Sequence, residues 1–180
     1  MIQSERIYLR LFDEKDVPLR VKWMNDPEIR EMLNAPYPVS EQSTKKWLSS
    51  VLEDSSRIDF AICIKDTDRV IGYTGFRNID LMNGKAESYT GLGETEYWGK
   101  GYAKESKIAA LSYIFKKYNL NKVYALIWSK HTRSIEMNKR IGYRVDGVLR
   151  DDLYSNGEYR DMVIMSLLRD EFLNRTDTKQ

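Results

Sequence analysis

The residues from Tyr89 to Lys104 are of types and spacing that could bind an anion. Tyr89-Thr90-Gly91-Leu92 reads as the end of a strand, Trp98-Gly99-Lys100-Gly101 as a loop eased by glycine, and Tyr102 onward as a helix. A loop that opens a helix presents free backbone N–H groups and the positive end of the helix dipole. Small residues let a phosphate approach those N–H groups closely. The segment therefore reads as a site for a phosphate or pyrophosphate, with a plain glycine-eased turn as the competing reading. No Gly-Lys-Ser/Thr follows, which excludes a Walker loop, and Gly-x-Gly-x-x-Gly is incomplete, which excludes a dinucleotide fingerprint.

Other chemistries have fewer residues to draw on. One cysteine, Cys63, excludes an internal disulfide and a Cys-based zinc cluster, and one histidine, His131, excludes a poly-His metal site. Cys63 lies among Phe60, Ile62 and Ile64 and reads as a buried, inert thiol. Lys15, Arg20 and Lys22 read as a solvated helix face, set against a phosphate patch as the alternative. Lys100 and Lys104 flank the anion site, where attraction to phosphate competes with plain solvation.

The elements that must position this loop follow from periodicity. Ile7, Leu9 and Leu11 alternate with polar positions and predict a strand. Val17, Val21 and Met24 predict a helix with Pro18 in its first turn, and Glu28 to Leu33 a further turn or two. Asn34 to Pro38 reads as a stiff connector over a cleft. Ser40 caps a helix whose stripe is Thr44, Trp47, Leu48, Val51 and Leu52. Phe60 to Ile64 is apolar on both faces and reads as a central strand. Val70 to Ile79 and Ala86 to Leu92 make a hairpin around Asn83-Gly84. Then come the helix Tyr102 to Tyr118, the strand Val123 to Trp128, a short helix His131 to Ile141 closed by Gly142, and a hairpin of Tyr143–Leu153 with Tyr159–Leu168. This is a mixed α/β (α+β) sheet of six or seven strands with helices on both faces, one domain over 1–170, and a polar tail over 171–180.

The chain has 180 residues, with 29 Lys and Arg against 27 Asp and Glu, so the net charge of +2 is too balanced to predict nucleic-acid binding. The N-terminus lacks a basic region followed by an apolar one, and no run of 18 apolar residues exists. The expectation is a cytoplasmic protein with no membrane partner.

The Trp98-Gly99-Lys100-Gly101-Tyr102-Ala103 stretch resembles motif A of the GNAT superfamily of acetyl-CoA-dependent N-acetyltransferases, Gln/Arg-x-x-Gly-x-Gly/Ala, matching it at Gly101 and Ala103. Trp98 stands where Gln or Arg is usual. Ser134-Ile135-Glu136-Met137-Asn138-Lys139-Arg140-Ile141-Gly142-Tyr143 resembles the family's Ser-Ile-x-x-x-Glu-Lys-Leu-Gly-Phe. Asp146-Gly147-Val148-Leu149-Arg150, Gly157-Glu158-Tyr159-Arg160-Asp161 and Trp23-Met24-Asn25-Asp26-Pro27-Glu28 are similar to the branch of ribosomal-protein N-terminal and spermidine acetyltransferases.

The resemblance implies a GNAT-type sheet, mostly antiparallel, in which two central parallel strands, Glu87–Leu92 and Val123–Trp128, splay apart to admit pantetheine. It implies acetyl-CoA as co-substrate and no metal. Gly99, Lys100, Gly101, Tyr102, Ala103 and Lys104 would hold the pyrophosphate, and Leu92, Gly93 and Glu94 would pair with the pantetheine like an added strand. His131, standing where relatives carry an Asn, would touch the cofactor or else cap its helix. Ser134 and Asn138 would complete the cofactor wall. Many relatives put a Tyr at Asn138, and Asn cannot act as an acid, which leaves Ser134 as the donor toward the departing thiolate. Glu87 is the candidate base, although either it or Ser88 points into the cleft. Asp26, Glu28 and Glu31 would border the acceptor amine.

The resemblance thus implies an N-acetyltransferase working by direct attack in a ternary complex. Its acceptor is a small-molecule or peptide amine: a protein N-terminus, a polyamine, an amino-sugar nucleotide or another small amine. The chain is expected to be a monomer or homodimer with no nucleic-acid partner. The alternative is a non-catalytic module that binds CoA or acyl-CoA, suggested by Asn138 and His131.

Overall fold

A computed structural model of the protein describes residues 1–32 and 38–177, and the connector expected at Asn34 to Pro38 lies almost wholly outside them. Eight strands form one sheet: β1 (Ile2–Gln3), β2 (Ile7–Leu11), β3 (Ile58–Ile64), β4 (Val70–Asp80), β5 (Lys85–Leu92), β6 (Lys122–Trp128), β7 (Arg144–Ser155) and β8 (Glu158–Leu168). Their order is β1-β2-β3-β4-β5-β6-β8-β7. The helices are α1 (Val17–Asn25), α2 (Pro27–Met32), α3 (Glu41–Glu53), α4 (Tyr102–Tyr118), α5 (Thr132–Ile141) and α6 (Arg169–Asp177). The strand beyond the expected seven is β1, two residues paired to β2, too short to show an alternating pattern.

Every strand pairing is antiparallel except β5 with β6. That parallel ladder runs only from Lys85↔Lys122 to Glu87↔Tyr124. Beyond it each strand keeps its outer partner, β5 with β4 as far as Leu92 and β6 with β8 as far as Trp128. The two inner edges therefore diverge into a wedge with no backbone partner for each other. At the first rung past the ladder, the Ser88 hydroxyl donates to the Tyr124 carbonyl at 3.1 Å, a side chain standing in for the lost backbone bond.

The sheet separates two cores. On one face α4, α5 and α6 cover a cluster that includes Phe60, Ile62, Phe76, Ala86, Leu111, Ile114 and Phe172. On the other, α1 and α3 cover Phe12, Trp23, Leu48, Ala61, Cys63 and Tyr73. Successive β3 residues feed opposite clusters, the reason Phe60 to Ile64 is apolar throughout. Cys63 is fully buried, and burial pushes its thiol up, away from nucleophilic thiolate.

Ser40 caps α3, its Oγ accepting from the Ser43 N–H at 3.1 Å. Leu52, placed on the apolar stripe of α3, is exposed instead, because the buried face is the narrower Thr44, Leu48 and Val51. The tail expected at 171–180 begins inside α6, where Phe172 packs on Phe115 with ring centroids 5.5 Å apart. Phe172 and the half-buried Leu173 dock that turn on the core, and Glu171 pairs with Arg144 at 2.7 Å.

Candidate active site

The loop before α4 is built around two left-handed glycines. Gly99 has φ +75° and Gly101 φ +86°, a region that costs little only without a Cβ. A Cβ added at Gly99 would meet nothing within 4 Å, so this side of the loop is open. No side chain caps α4, and among the described residues nothing accepts from the amides of residues 102–104. Arg6 fixes the loop from behind. Its backbone N and Nε donate to Glu105 at 2.8 Å, its Nη1 donates to the Lys100 carbonyl at 3.1 Å, and its guanidinium sits 4.3 Å from the Tyr102 ring centroid.

From this loop a cleft of about 1290 Å³ runs through the β5–β6 wedge to the face covered by α1. Eight cationic side chains and three carboxylates line it, on a chain whose net charge is only +2. The fold has gathered the positive charge here. Lys104, Lys130, Arg133 and Arg140 stand in its α4–α5 half.

Nine of the residues expected at the cofactor line the cleft: Leu92, Gly99, Gly101, Tyr102, Ala103, Lys104, His131, Ser134 and Asn138. His131 sits at the N-cap position of α5 without a side-chain cap bond, and burial, with Arg133 nearby, lowers its imidazole toward the neutral form.

The structure places three others elsewhere. Lys100 is exposed behind the loop, its carbonyl taken by Arg6. Gly93 lies under the Trp23 indole and donates its N–H to Ile71. Glu94 is buried, accepting from Lys22 Nζ at 2.8 Å, from Trp23 Nε1 at 2.9 Å and from Arg69 at 2.9 Å. It ties α1 to the end of β5 and faces away from the cleft. Because Trp98 Nε1 also occupies the Leu92 carbonyl, the backbone free to pair with a ligand along β5 lies before Leu92, not over Leu92 to Glu94.

The alternation along β5 settles what Glu87 and Ser88 face. Ser88 turns to the α4 side, where its Oγ lies 2.9 Å from the Tyr143 hydroxyl. Glu87 turns to the α1 side with Tyr89. Arg77 Nη2 donates to one Glu87 oxygen at 2.6 Å and Asn78 Nδ2 to the other at 3.0 Å. Glu87 thus offers the cleft a charge already compensated by Arg77. Asn138 is buried, its Nδ2 donating to the Ser134 carbonyl at 2.8 Å and its Oδ1 accepting from Lys107 Nζ at 2.6 Å.

The acidic residues expected at the acceptor are not in the cleft. Asp26 caps α2, its Oδ1 accepting from the Glu28 N–H at 2.9 Å, and Glu28 and Glu31 are exposed. Arginines stand there instead. Arg20, expected on a solvated face, lies 3.7 Å from the Trp47 ring centroid and 5.1 Å from that of Tyr73. Arg57 is paired with Asp59 at 2.7 Å and Arg77 with Glu87. Burial lowers the Arg20 guanidinium, and among the described residues no carboxylate lies within ion-pair distance of it.

Arg20, Arg57, Arg77 and Lys107 are the residues that sequence reasoning missed. Only Lys107 left a signal: it falls on the apolar stripe of α4 with Ala110, Leu111 and Ile114, all buried.

A family model described as an acetyltransferase (GNAT) domain matches residues 6–144. The chain is 32% identical over 175 residues to the uncharacterized N-acetyltransferase p20 of Bacillus licheniformis, covering 95% of this chain and 97% of that protein. It is 31% identical over 78 residues to the spermidine N(1)-acetyltransferase of Escherichia coli K12, covering 43% and 42% of the two chains. The fold is that of the Vibrio cholerae spermidine N-acetyltransferase solved with CoA and spermine, with a TM-score of 0.86 at 22% identity over 94% of this chain and 99% of that one.

Proposed function

The chain belongs to the GNAT acetyltransferase family, and from that premise we propose that its acceptor is a primary amine on a small molecule that also carries a carboxylate or phosphate. The reaction is acetyl transfer from acetyl-CoA to an amine, and acetyl-CoA supplies an activated thioester.

The residues present fit that donor. The first turn of α4 offers unpaired amides, and the open side of Gly99 leaves room for a diphosphate. Lys104, Lys130, Arg133 and Arg140 supply cations beside it. The unpaired inner edges of the wedge suit an extended, amide-bearing arm. In this reading Gly99, Gly101, Tyr102, Ala103 and Lys104 hold the phosphates, and His131, Ser134 and Asn138 wall the arm.

The acceptor reading rests on Arg20. Asp59 and Glu87 are spent on Arg57 and Arg77, which leaves one guanidinium over in the α1 half of the cleft. A guanidinium suits a carboxylate or phosphate through paired N–H donors. It also disfavours an ammonium. Two like charges 4 Å apart repel by about 4 kcal/mol at an effective dielectric of 20. The same field helps the chemistry, because attack needs the neutral amine. A lysine-like amine is only about 0.04% neutral at pH 7, whereas an α-amine with pKa near 7.8 is roughly 15% neutral. A nearby cation shifts either one further toward the neutral form. Glu87, paired on both oxygens, acts here as the anchor of Arg77 rather than as the base.

The same proposal takes the acceptor as a small molecule or short peptide rather than nucleic acid, the chain as a monomer or homodimer, and the compartment as cytoplasmic. Among the described residues no helix is long and apolar enough to cross a membrane.

Initial rates of thiol release with a panel of amines test it. Amino acids or phosphorylated amino sugars should outpace spermidine in the wild type. Arg20→Glu should cut kcat/KM for the anionic amines by about tenfold or more, the worth of one charge-assisted contact, and improve spermidine. If spermidine is the best acceptor of the wild type, the anionic acceptor is wrong. If CoA binds but no amine releases thiol, the non-catalytic module is the better description.

A further inference from the structure

Lys107 is an unusual residue for a helix interior. It is only 3% exposed, and lysine is almost never so buried without a partner or a task. The side chain comes from the second turn of α4 and reaches the cleft wall. Its Nζ donates to Asn138 Oδ1 at 2.6 Å and lies 4.8 Å from the Tyr143 ring centroid. The Asn138 amide is held in turn by the Ser134 carbonyl, so the acceptor that positions the ammonium is itself fixed.

We infer that Lys107 is the proton donor to the CoA thiolate, its ammonium aimed by Asn138 at the place where β5 and β6 part. The inference rests on reading the cleft as the acetyl-CoA site.

Asn138, Tyr143 and Glu87, the groups nearest it, do not supply an acid. Asn138 has no acidic proton. Burial keeps the Tyr143 hydroxyl protonated, well above the usual tyrosine range, and that hydroxyl is bonded to Ser88, which itself reaches the Tyr124 carbonyl. Glu87, across the sheet from Lys107, is committed to Arg77 and Asn78. Burial pushes the Lys107 ammonium down to about 7, against the pull of Glu87. A donor with that value is about half protonated at neutral pH and gives up its proton readily, the condition for an efficient general acid.

The step balances simply. The amine nitrogen forms the C–N bond as the C–S bond breaks. The sulfur takes a proton from Lys107 Nζ, and the amine gives up a proton to solvent. The neutral Lys107 then recovers a proton from solvent, leaving amide and free thiol as the net products.

The test follows the thiol of bound CoA by thiolate absorbance during a pH titration. Calorimetry with CoA runs in parallel. In the wild type the bound thiol should titrate at least one unit below the free value of about 8.5. In Lys107→Met it should move back by a unit or more. The kcat of that variant should fall by about a hundredfold with KM for acetyl-CoA held within about threefold. The fall of wild-type kcat as pH rises through 7, where Lys107 loses its proton, should vanish in it. The wild-type titration decides alone if Lys107→Met does not fold. CoA that binds with an unshifted thiol overturns the role of Lys107 and leaves the cofactor site standing. Loss of kcat in Lys107→Met without any movement of the thiol or the pH limb points to a structural role and overturns it too. Failure of the wild type to bind CoA takes down the site and the inference together.

Discussion

Gly101→Val is expected to leave the sheet folded and to raise the calorimetric Kd for CoA by about a hundredfold or more. The residue sits at φ +86° immediately before α4. A β-branched side chain there is strained by roughly 1–3 kcal/mol, and the loop relieves the strain by rotating the peptides on either side. Those peptides carry the amides assigned to the phosphates. Losing two charge-assisted bonds of about 1.5–3 kcal/mol each weakens binding by two to four orders of magnitude. The loop is exposed at Gly99, Lys100 and Gly101 and buries little of the core, so circular dichroism and melting should change far less than affinity. A Kd within threefold of the wild type would mean that the diphosphate docks elsewhere.

Glu94→Ala should cost about 2–4 kcal/mol of stability. The carboxylate is 8% exposed and receives three donors. Two of them, Lys22 and Arg69, are about half exposed and can turn to water, so each contributes little. The third is the Trp23 indole N–H. Trp23 is fully buried, and its N–H would be stranded at about 1–3 kcal/mol, with a further term for the cavity left behind. Scanning calorimetry should show a drop in Tm of roughly 10 °C, given about 2–4 °C per kcal/mol for a domain of this size. A drop of under 2 °C would show that Glu94 ties nothing together.

The pH dependence carries a sign. Burial pushes the Glu94 carboxyl up, but the bonds from Lys22, Trp23 and Arg69 outweigh it and hold the group below the usual carboxylate range. A depressed carboxyl contributes stability above its unfolded pKa of about 4.3, and that contribution is lost as pH falls through the lower folded value. Glu94→Gln keeps an oxygen for Trp23 and removes the titration. Its deficit against the wild type should therefore be largest at neutral pH and close as the pH is lowered.

Glu94 also shows how a residue can stand beside a cleft-lining loop and face away from the cleft. Its neighbours Leu92, Gly99 and Gly101 line the cleft as their motif implies, yet Glu94 looks the other way. The 3-10 turn at Thr95–Tyr97 redirects the chain between them, and no periodicity marks that turn. Asp26, in the segment that the resemblance sets beside the acceptor, caps α2. Arg20, which with Lys15 and Lys22 reads as a solvated face, stacks on Trp47 instead. A charged residue read from sequence carries its sign but not its direction.

Local preferences determined the seven longer strands, the helices from α1 to α5 and the glycine loop before α4, while β1 and α6 escaped them. Periodicity and φ preference act over a few residues and need no distant partner. Only the tertiary structure decided where charges meet. Lys107 and Asn138 are 31 residues apart, and Arg77 meets Glu87 through the β4–β5 register. Glu87 faces α1 rather than α4 because of that register, and a slip of one residue would have reversed it. The pairing of a buried charge depends on which strand lies beside which, and that is settled by packing across the whole sheet.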